Sequence, residues 1–247
     1  SYLDGVTVKP EDIYRTYNEK KVLPKTAARS PEDFKEFFAR YTEKGEEVVH
    51  INISSKISMT HDNAVTAAKE LEGVYVVDSL SLSSGTGLLV LYACELAQQG
   101  LGGKEIAEKV AARTKSVQAS FVVDTMEYLH KGGRCSSLAR FAASVLKIKP
   151  TIQVKDGGME VGKKYMGSFD KIIGKYVEAT LQTFDKPDLT RIFVTHTSAK
   201  PETVQLVKDK IKELADFKEI KETIASSTIT SHCGRGTLGI LYINDAE

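Results

Sequence analysis

The sequence contains no tryptophan and only three cysteines, four methionines and six prolines in 247 residues. The cysteines, Cys94, Cys135 and Cys233, are odd in number and lack the spacing of a metal site. A fold held together by disulfides is therefore not expected, and neither is a cysteine-based metal centre. Free thiols are typical of proteins in a reducing cytoplasm.

Long apolar runs and a surplus of one charge are absent as well. The 34 Lys and Arg residues nearly balance the 33 Asp and Glu residues, and no long basic run occurs. This charge pattern argues against nucleic acid as the main partner. No stretch approaches the roughly 18 apolar residues of a membrane span, and no signal peptide is recognisable. With 41% hydrophobic and 27% charged residues, the composition predicts a soluble, cytoplasmic globular protein.

Strand and helix patterns alternate in the first half of the chain. Apolar runs at 48–53 and 74–77 predict buried strands, and helices are expected at 63–71, 87–98 and 104–114. This order predicts a Rossmann-like parallel sheet with helices on both faces. Ligands of such sheets bind beyond the carboxyl ends of the strands. Those ends hold Ser54, Ser55, Asp78 and Ser79.

The pattern changes after about residue 116. Asp156-Gly157-Gly158, between two strand patterns, predicts a β-hairpin. Further helices and strands are expected at 170–184, 191–195, 201–214, 219–224 and 238–243. We therefore predict an α/β protein with two domains: a Rossmann-like domain at 1–116 and a mixed α+β domain at 117–247. The chain enters without the strand that would open the first domain, so we expect an N-terminal piece to be missing.

Local pattern leaves two interpretations for each candidate site residue. Ser54 and Ser55 can bind a carboxylate or phosphate through their hydroxyls, or they can cap the following helix. The segment 83–87 lacks the lysine of a nucleotide-binding loop, so we interpret it as a capped loop. His232 lies beside glycines and between strand-like stretches, where a histidine can bind an acid or serve a structural role.

Two further residues lie near predicted turns. Thr26 precedes Ser30 and Pro31, which fit the N-cap and first position of a helix at 32–40. Those two residues are thereby explained, and Thr26 remains available for another role. Arg134 follows a Gly-Gly pair and is either ordinary surface charge or an interface anchor, a role in which arginine is enriched.

Together these segments resemble the DegV family of bacterial fatty-acid-binding proteins. The matching motifs follow the family's order along essentially the whole chain. They are Pro24 to Arg29, Ser54 to Ala64, Asp78-Ser79 with Gly87 to Val90, Leu129 to Ser136 with Leu146 to Pro150, and His232 to Gly236. An ordered series of this kind is more specific than any single motif.

The resemblance implies a fatty-acid carrier that is not an enzyme and uses no cofactor or metal. A long-chain fatty acid would lie in a tunnel between or beside the two domains. Its carboxylate would be bound by hydroxyls and a histidine, namely Thr26, Ser54, Ser55 and His232. Candidates for the tunnel lining are Ile57, Met59, Leu88 and Leu89. Arg134 resembles the family's contact point for a fatty acid kinase that phosphorylates the bound acid. The resemblance implies no membrane span, and transient contact with a membrane surface is compatible with it.

Several residues depart from the family pattern. Ala27 stands for a serine, Met59 for a glycine and His61 for a tyrosine or a similar residue. We expect these changes to remove one carboxylate donor and to reshape the pocket. Arg235 adds a cation near His232 and is expected to strengthen carboxylate binding.

The main alternative is an enzyme of a different class. It would be a small-molecule hydrolase or phosphotransferase that uses Ser54 or Cys233 with His232. The sequence offers no convincing third orienting group and no oxyanion site for such chemistry. A DNA-associated or purely regulatory protein lacks the expected basic signal.

Overall fold

The computed structural model describes residues 1–134 and 148–246. It shows a mixed α/β fold with a two-stranded parallel sheet and a six-stranded mixed sheet. Cys135 and the motif residues Ser136 and Leu146 lie outside the described residues. Across both described ranges, no helix combines the length and the apolar character that crossing a bilayer requires.

Within these ranges the chain forms nine α-helices and eight strands. The helices are α1 (Pro10–Lys20), α2 (Pro31–Thr42), α3 (Thr60–Ala68), α4 (Ser83–Gln98), α5 (Gly103–Arg113), α6 (Glu127–Gly132), α7 (Phe169–Thr183), α8 (Pro201–Leu214) and α9 (Ser227–Cys233). The strands are β1 (Val48–Asn52), β2 (Val74–Asp78), β3 (Val117–Val122), β4 (Ile148–Lys155), β5 (Gly158–Met166), β6 (Pro187–His196), β7 (Glu219–Ile224) and β8 (Leu238–Asn244).

The chain folds into two compact units, each built from separate segments. The first unit comprises Ser1–Thr26, Gln118–Gln153 and Met159–Glu247, and the second comprises Ala27–Val117 and Val154–Gly158. Residues 1–26 join the first unit because α1 packs against α9. The sequence-based boundary at 116/117 lies one residue from the change of unit at 117/118, and the domain assignment stays a prediction.

The second unit contains a small parallel sheet with helices on both faces. β1 pairs with β2 in parallel, with Val48 opposite Val74. Successive residues of a strand point to opposite faces, and the core divides accordingly. Val49 and Ile51 pack with α4 and α5, whereas Val48 packs with α2 and α3. The predicted parallel sheet with helices on both faces is confirmed.

The first unit contains the larger sheet, with strand order β5-β4-β3-β8-β6-β7. β3 pairs with β4, and β6 with β8, in antiparallel fashion, whereas β6 and β7 are parallel. The apolar faces of α7 and α8 pack in one core around the buried ring of Tyr176. Its hydroxyl donates to the carbonyl of Ser120 at 2.7 Å and accepts from the amide of Ile240 at 3.1 Å. The predicted mixed sheet is confirmed.

Most of the predicted elements are present, and two segments differ. The predicted bounds of α8 and β7 are confirmed, as is the hairpin formed by β4 and β5. Residues 83–87 form the beginning of α4 and not a loop. Residues 228–231 belong to α9 and not to a strand-like stretch. Their β-branched side chains favour strand locally, but contacts at the start of α9, described below, override that preference.

Candidate functional site

Three residues of the first unit, Thr26, Gly132 and Arg134, lie around the imidazole ring of His232. We call these four residues the histidine cluster. His232 lies in the last turn of α9, and Gly132 ends α6. These two helices pack against each other, which brings their ends together. Of the four predicted carboxylate-binding residues, Thr26 and His232 are in direct contact.

The two ring nitrogens of His232 have different surroundings. Nε2 lies 2.9 Å from Oγ1 of Thr26, which joins residues 206 positions apart. Nδ1 is buried and has no hydrogen-bond partner among the described residues. A neutral imidazole offers one N–H donor and one acceptor nitrogen. When Nε2 carries the proton and donates to Thr26, the threonine hydroxyl keeps its own proton for another acceptor.

The environment of His232 favours its uncharged form. Burial is the main cause that lowers the pKa of His232, the positive charge of Arg134 lowers that pKa further, and the neighbouring backbone of Gly132 offsets part of the decrease. Both effects penalise the imidazolium, burial through desolvation and Arg134 through like-charge repulsion. At neutral pH the ring therefore acts by hydrogen bonding and adds no positive charge to the cluster.

The two glycines of the predicted Gly-Gly-Arg motif have different structural roles. Gly133 adopts the left-handed conformation, with φ of 66°, and its amide closes α6 by donating to the carbonyl of Leu129 at 3.1 Å. Gly132 is needed for close approach, because a Cβ atom there would overlap Nδ1 of His232. Arg134 is exposed and donates from Nη1 to the carbonyl of Gly132 at 2.8 Å.

Aromatic and charged residues surround the histidine cluster. The guanidinium of Arg235 lies over the ring of Tyr14, 4.3 Å from its centroid. The expected contribution of Arg235 to carboxylate binding stays a prediction. Tyr17 donates to the carboxylate of Glu127, and Lys131 donates to the Tyr17 hydroxyl at 2.6 Å and to Glu127 at 3.0 Å. These bonds attach α1 to α6, the helix that supplies Gly132.

A second group of predicted residues lies in the second unit, at the carboxyl ends of β1 and β2. We call Ser54, Ser55 and residues 78–81 the serine loop. The carboxylate of Asp78 accepts from the amide of Ser55 at 3.3 Å and from the amide of Leu80 at 3.0 Å. Asp78 thus holds together the turns that follow the two strands.

The buried serines of the serine loop differ in how their hydroxyls are used. Ser54 is fully buried, and its hydroxyl donates to the carbonyl of Gly157 at 2.7 Å. Its amide donates to the carbonyl of Ser81 at 2.9 Å. Ser81 is also buried, but within the described residues its hydroxyl oxygen has no hydrogen-bond partner. The proton of Ser54 is therefore committed inside the protein, and the hydroxyl of Ser81 is not.

The four candidates for the tunnel lining occupy different environments. Leu88 and Leu89 are buried in α4, and Leu89 belongs to the core of the second unit with Val77. Ile57 is half-buried, and Met59 is 58% exposed. Their role as tunnel lining stays a prediction.

The geometry gives no support to a cysteine–histidine pair. Cys233 is buried in an apolar cluster with Phe121 and Leu129. His232 and Cys233 are consecutive residues of a helix, and consecutive helical side chains do not face each other. In residues 1–134 and 148–246, no group of three or more His, Cys, Asp or Glu side chains is arranged to hold a metal ion.

Sequence reasoning missed Ser81 and the role of Gly132. The signal for Ser81 was its place two residues after Ser79, at a strand end already identified as a place where ligands bind. Gly132 belongs to a recognised motif, but the ring that it contacts is 100 residues away in the sequence, so no local pattern indicates that contact.

Comparison with known proteins places these features in context. A family model described as an uncharacterised protein of the DegV family matches residues 1–245. A fatty acid-binding protein of Thermotoga maritima is 32% identical over 238 residues, which cover 94% of this chain and 82% of that protein. A DegV domain-containing protein of Clostridium acetobutylicum is 35% identical over 170 residues, which cover 68% of this chain and 61% of that one. A solved structure described as fatty acid binding of a DegV family protein, from Thermus thermophilus, has a TM-score of 0.87 at 28% identity and covers 99% of this chain and 87% of its own.

Proposed function

Because the chain belongs to the DegV family, we propose that it binds a long-chain fatty acid and presents it to a partner kinase without catalysing a reaction itself. Two relatives, one 32% and one 28% identical to this chain, are described as binding fatty acids. The observation that supports the proposal most directly is the pairing of Thr26 with an uncharged His232.

The Thr26–His232 pair suits a carboxylate head group. A carboxylate accepts hydrogen bonds and donates none, so its site needs donors. In the tautomer with the proton on Nε2, His232 donates to Thr26 and the threonine hydroxyl donates to the carboxylate. A typical hydrogen bond contributes about 0.5–1.5 kcal/mol, and one to a charged group about 1.5–3 kcal/mol. The pair therefore orients the head group and contributes a modest part of the affinity.

Ser54 and Ser55 remain proposed carboxylate-binding residues. Ser55 is the stronger candidate of the two, because the hydroxyl of Ser54 already donates to Gly157. We add Ser81 as a third candidate in the second unit, since in the described part of the chain its buried hydroxyl has no partner.

The acyl chain would supply most of the binding free energy. Burial of each methylene contributes about 0.8 kcal/mol, so a dozen methylenes contribute on the order of 10 kcal/mol before the costs of association. Ile57, Met59, Leu88 and Leu89 are the proposed lining residues. Because the acyl chain would supply most of the binding free energy, the carboxylate does not need a cationic binding site.

Arg134 is the proposed contact with a fatty acid kinase. Its side chain is exposed, and its only described side-chain bond is to the neighbouring carbonyl of Gly132. An exposed arginine that bonds to a neighbouring carbonyl can bond to a partner protein instead, and arginine is a common interface anchor.

Native mass spectrometry of the purified protein tests ligand binding directly. We expect a mass increment that solvent extraction identifies as one long-chain fatty acid per chain. A protein that is empty and also fails to bind added palmitic acid would overturn the proposed function.

Replacing Thr26 tests the head-group assignment. Thr26→Val keeps the shape of the side chain but removes its hydroxyl, and we expect palmitic acid to bind about 10-fold more weakly. Thr183→Val is the matched control, because the Thr183 hydroxyl is exposed and donates only to Ala179 within α7. Equal affinity of Thr26→Val and wild type would remove Thr26 from the site.

Replacing Arg134 tests the contact with the kinase. Arg134→Ala should leave palmitic acid affinity within twofold of wild type and lower turnover by the cognate fatty acid kinase. Arg40→Ala is the matched control, because Arg40 is also exposed and bonds locally, to Glu36. Unchanged turnover with Arg134→Ala would exclude Arg134 from the interface.

A further inference from the structure

The helix that holds His232 is too short to be stable by itself. α9 has seven residues, whereas isolated helices shorter than about 12 residues are marginal in water. The orientation of His232 therefore depends on contacts that fix the two ends of α9. The first amides of any helix have no partner inside the helix and need one from elsewhere.

Every amide of the first turn of α9 has a hydrogen-bond partner. Two of these amides donate to the same carboxylate. Oδ1 of Asp4 accepts from the amide of Ser227, and Oδ2 accepts from the amide of Thr228, both at 2.8 Å. The amide of Ile229 donates to the N-cap hydroxyl of Ser226 at 3.4 Å. The amide of Thr230 begins the regular helix by donating to the carbonyl of Ser226 at 2.8 Å.

Asp4 is held in place by a compact turn, residues 3–8, which we call the capping loop. The carbonyl of Leu3 accepts from the amides of Val6, Thr7 and Val8 at 2.9–3.2 Å. The amide of Leu3 donates to the hydroxyl of Thr7 at 2.7 Å. The hydroxyl of Ser227 donates to the carbonyl of Val8 at 3.1 Å, which attaches the capping loop to α9 a second time.

The opposite end of α9 is also attached. The hydroxyl of Thr237 donates to the carbonyl of Cys233 at 2.9 Å, and the amide of Gly234 donates to the carbonyl of Thr230 at 2.9 Å. With both ends fixed, the helix has one position, and His232 in its last turn reaches Thr26.

We propose that Asp4 is a positioning residue for the ligand head group: it fixes the start of α9 and thereby keeps the imidazole of His232 on Thr26. The proposal rests on the proposed function, in which His232 and Thr26 bind the carboxylate. Asp4 itself does not touch the ligand in this scheme.

The chemistry of Asp4 suits this role better than that of an amide. Both carboxylate oxygens accept a backbone amide, whereas asparagine has one acceptor oxygen. A negative charge at the start of a helix also interacts favourably with the helix dipole. Burial alone would raise the pKa of Asp4, but the hydrogen bonds from Thr228 and its neighbours hold that pKa below its ordinary value. The group is therefore ionised at neutral pH.

A double-mutant cycle distinguishes positioning from a general loss of stability. Palmitic acid affinity is measured for Asp4→Ala and Asp4→Asn, each in the wild-type and in the His232→Gln background. Loss of a helix cap destabilises the first turn of the helix. In the wild-type background we therefore expect binding to weaken about 10-fold for Asp4→Ala and about 3-fold for Asp4→Asn. In the His232→Gln background both changes should have less than a twofold effect. Equal losses in the two backgrounds, or no loss in either, would overturn the proposal.

Asp33→Ala is the matched control, because Asp33 accepts from the amide of Ser30 at the start of α2 in the second unit. It should leave affinity within twofold of wild type.

The ¹⁵N signals of the His232 imidazole give a readout that does not need the ligand. We expect them to shift in Asp4→Asn and Asp4→Ala and to stay unchanged in Asp33→Ala. Unchanged signals in both Asp4 variants would overturn the positioning role. If wild-type protein failed to bind palmitic acid while these signals still shifted, the proposed function would fail and the link from Asp4 to His232 would stand.

Discussion

His50 in the second unit and His232 in the first share two properties. Burial lowers the pKa of both, and in each ring one nitrogen is buried without a hydrogen-bond partner among the described residues. They differ in what else lies beside the ring. His50 packs against Phe34 and Phe38, with ring centroids 5.2 Å apart in both cases. His232 contacts the hydroxyl of Thr26 and lies near the charge of Arg134.

This difference shows that burial of a histidine does not by itself make a binding site. His50 is uncharged because burial, and to a smaller extent the charge of His61, lowers its pKa, and its ring contacts two aromatic side chains. His232 is uncharged next to the hydroxyl of Thr26, which can donate to an acceptor when Nε2 carries the proton of the ring. The comparison predicts that changes around His50 affect stability, whereas changes around His232 affect binding.

The largest expected effect concerns the pH dependence of stability. The pKa of His50 is lowered from 6.5 to about 4 in the folded protein, so between these values the unfolded chain binds more protons. Its contribution is fully present above pH 6.5 and decreases as the pH falls towards 4. We expect about 2–3 kcal/mol to be lost between pH 7.5 and 4.5 through this residue. Urea unfolding at several pH values measures the loss.

His50→Phe is the variant that isolates this contribution. An aromatic ring without ionisable nitrogens should remove the part of the pH dependence that His50 causes and leave palmitic acid affinity within twofold of wild type. If wild type and variant lost stability in parallel as the pH falls, burial of His50 would not be the cause.

The second effect concerns the approach of Gly132 to the ring of His232. Gly132→Ala places a Cβ atom where Nδ1 lies, and such overpacking typically costs about 1–3 kcal/mol. We expect palmitic acid to bind roughly 30-fold more weakly, since the ring must move away from Thr26. Isothermal calorimetry measures the affinity. Gly174→Ala in α7 is the control, because its added Cβ meets only Leu206 at 3.8 Å. If Gly132→Ala bound palmitic acid with wild-type affinity, the position of the His232 ring would not determine binding.

The smallest effect concerns the charge of Arg134. Arg134→Gln removes a like charge near His232, so the pKa of His232 should rise, because the imidazolium is no longer repelled. The pKa of His50 should not change, because the nearby charge that lowers it is that of His61. An NMR titration of the imidazole signals follows both rings in one experiment. If the pKa of both histidines rose, or of neither, the charge of Arg134 would not be a specific cause of the lowered pKa of His232.

Much of the fold was predictable because its elements have strong local signals. Apolar runs gave β1 and β2, the Asp-Gly-Gly turn gave the hairpin, and Pro201 marked the start of α8. The prediction of a strand-like stretch at 228–231 was wrong, because Thr228, Ile229 and Thr230 favour a strand locally. The helix forms there because Asp4, more than 220 residues away, accepts two of its first amides. A local pattern contains no information about such a partner.

The residues of the candidate site came from the family resemblance, and their roles stay predictions; their geometry was not predictable. Resemblance to a family pointed to Thr26, His232 and Arg134, and the structure brings Thr26 and His232 together. Composition and spacing gave no indication of the contact between Gly132 and the imidazole, or that the Ser81 hydroxyl would have no partner among the described residues. Such facts depend on atomic distances between segments that are remote in sequence.

The bond between Asp4 and Ser227 also constrains the order of events during synthesis. The two residues are 223 positions apart, and ribosomes add about 5–20 residues per second. The carboxylate that caps α9 is therefore made roughly 10–45 s before the amides that it binds. Thr26 likewise precedes its partner His232 by 206 positions. The contact between Thr26 and His232 can therefore form only near the end of synthesis, as can the core of the larger sheet, because its inner strand β8 follows α9 in the sequence.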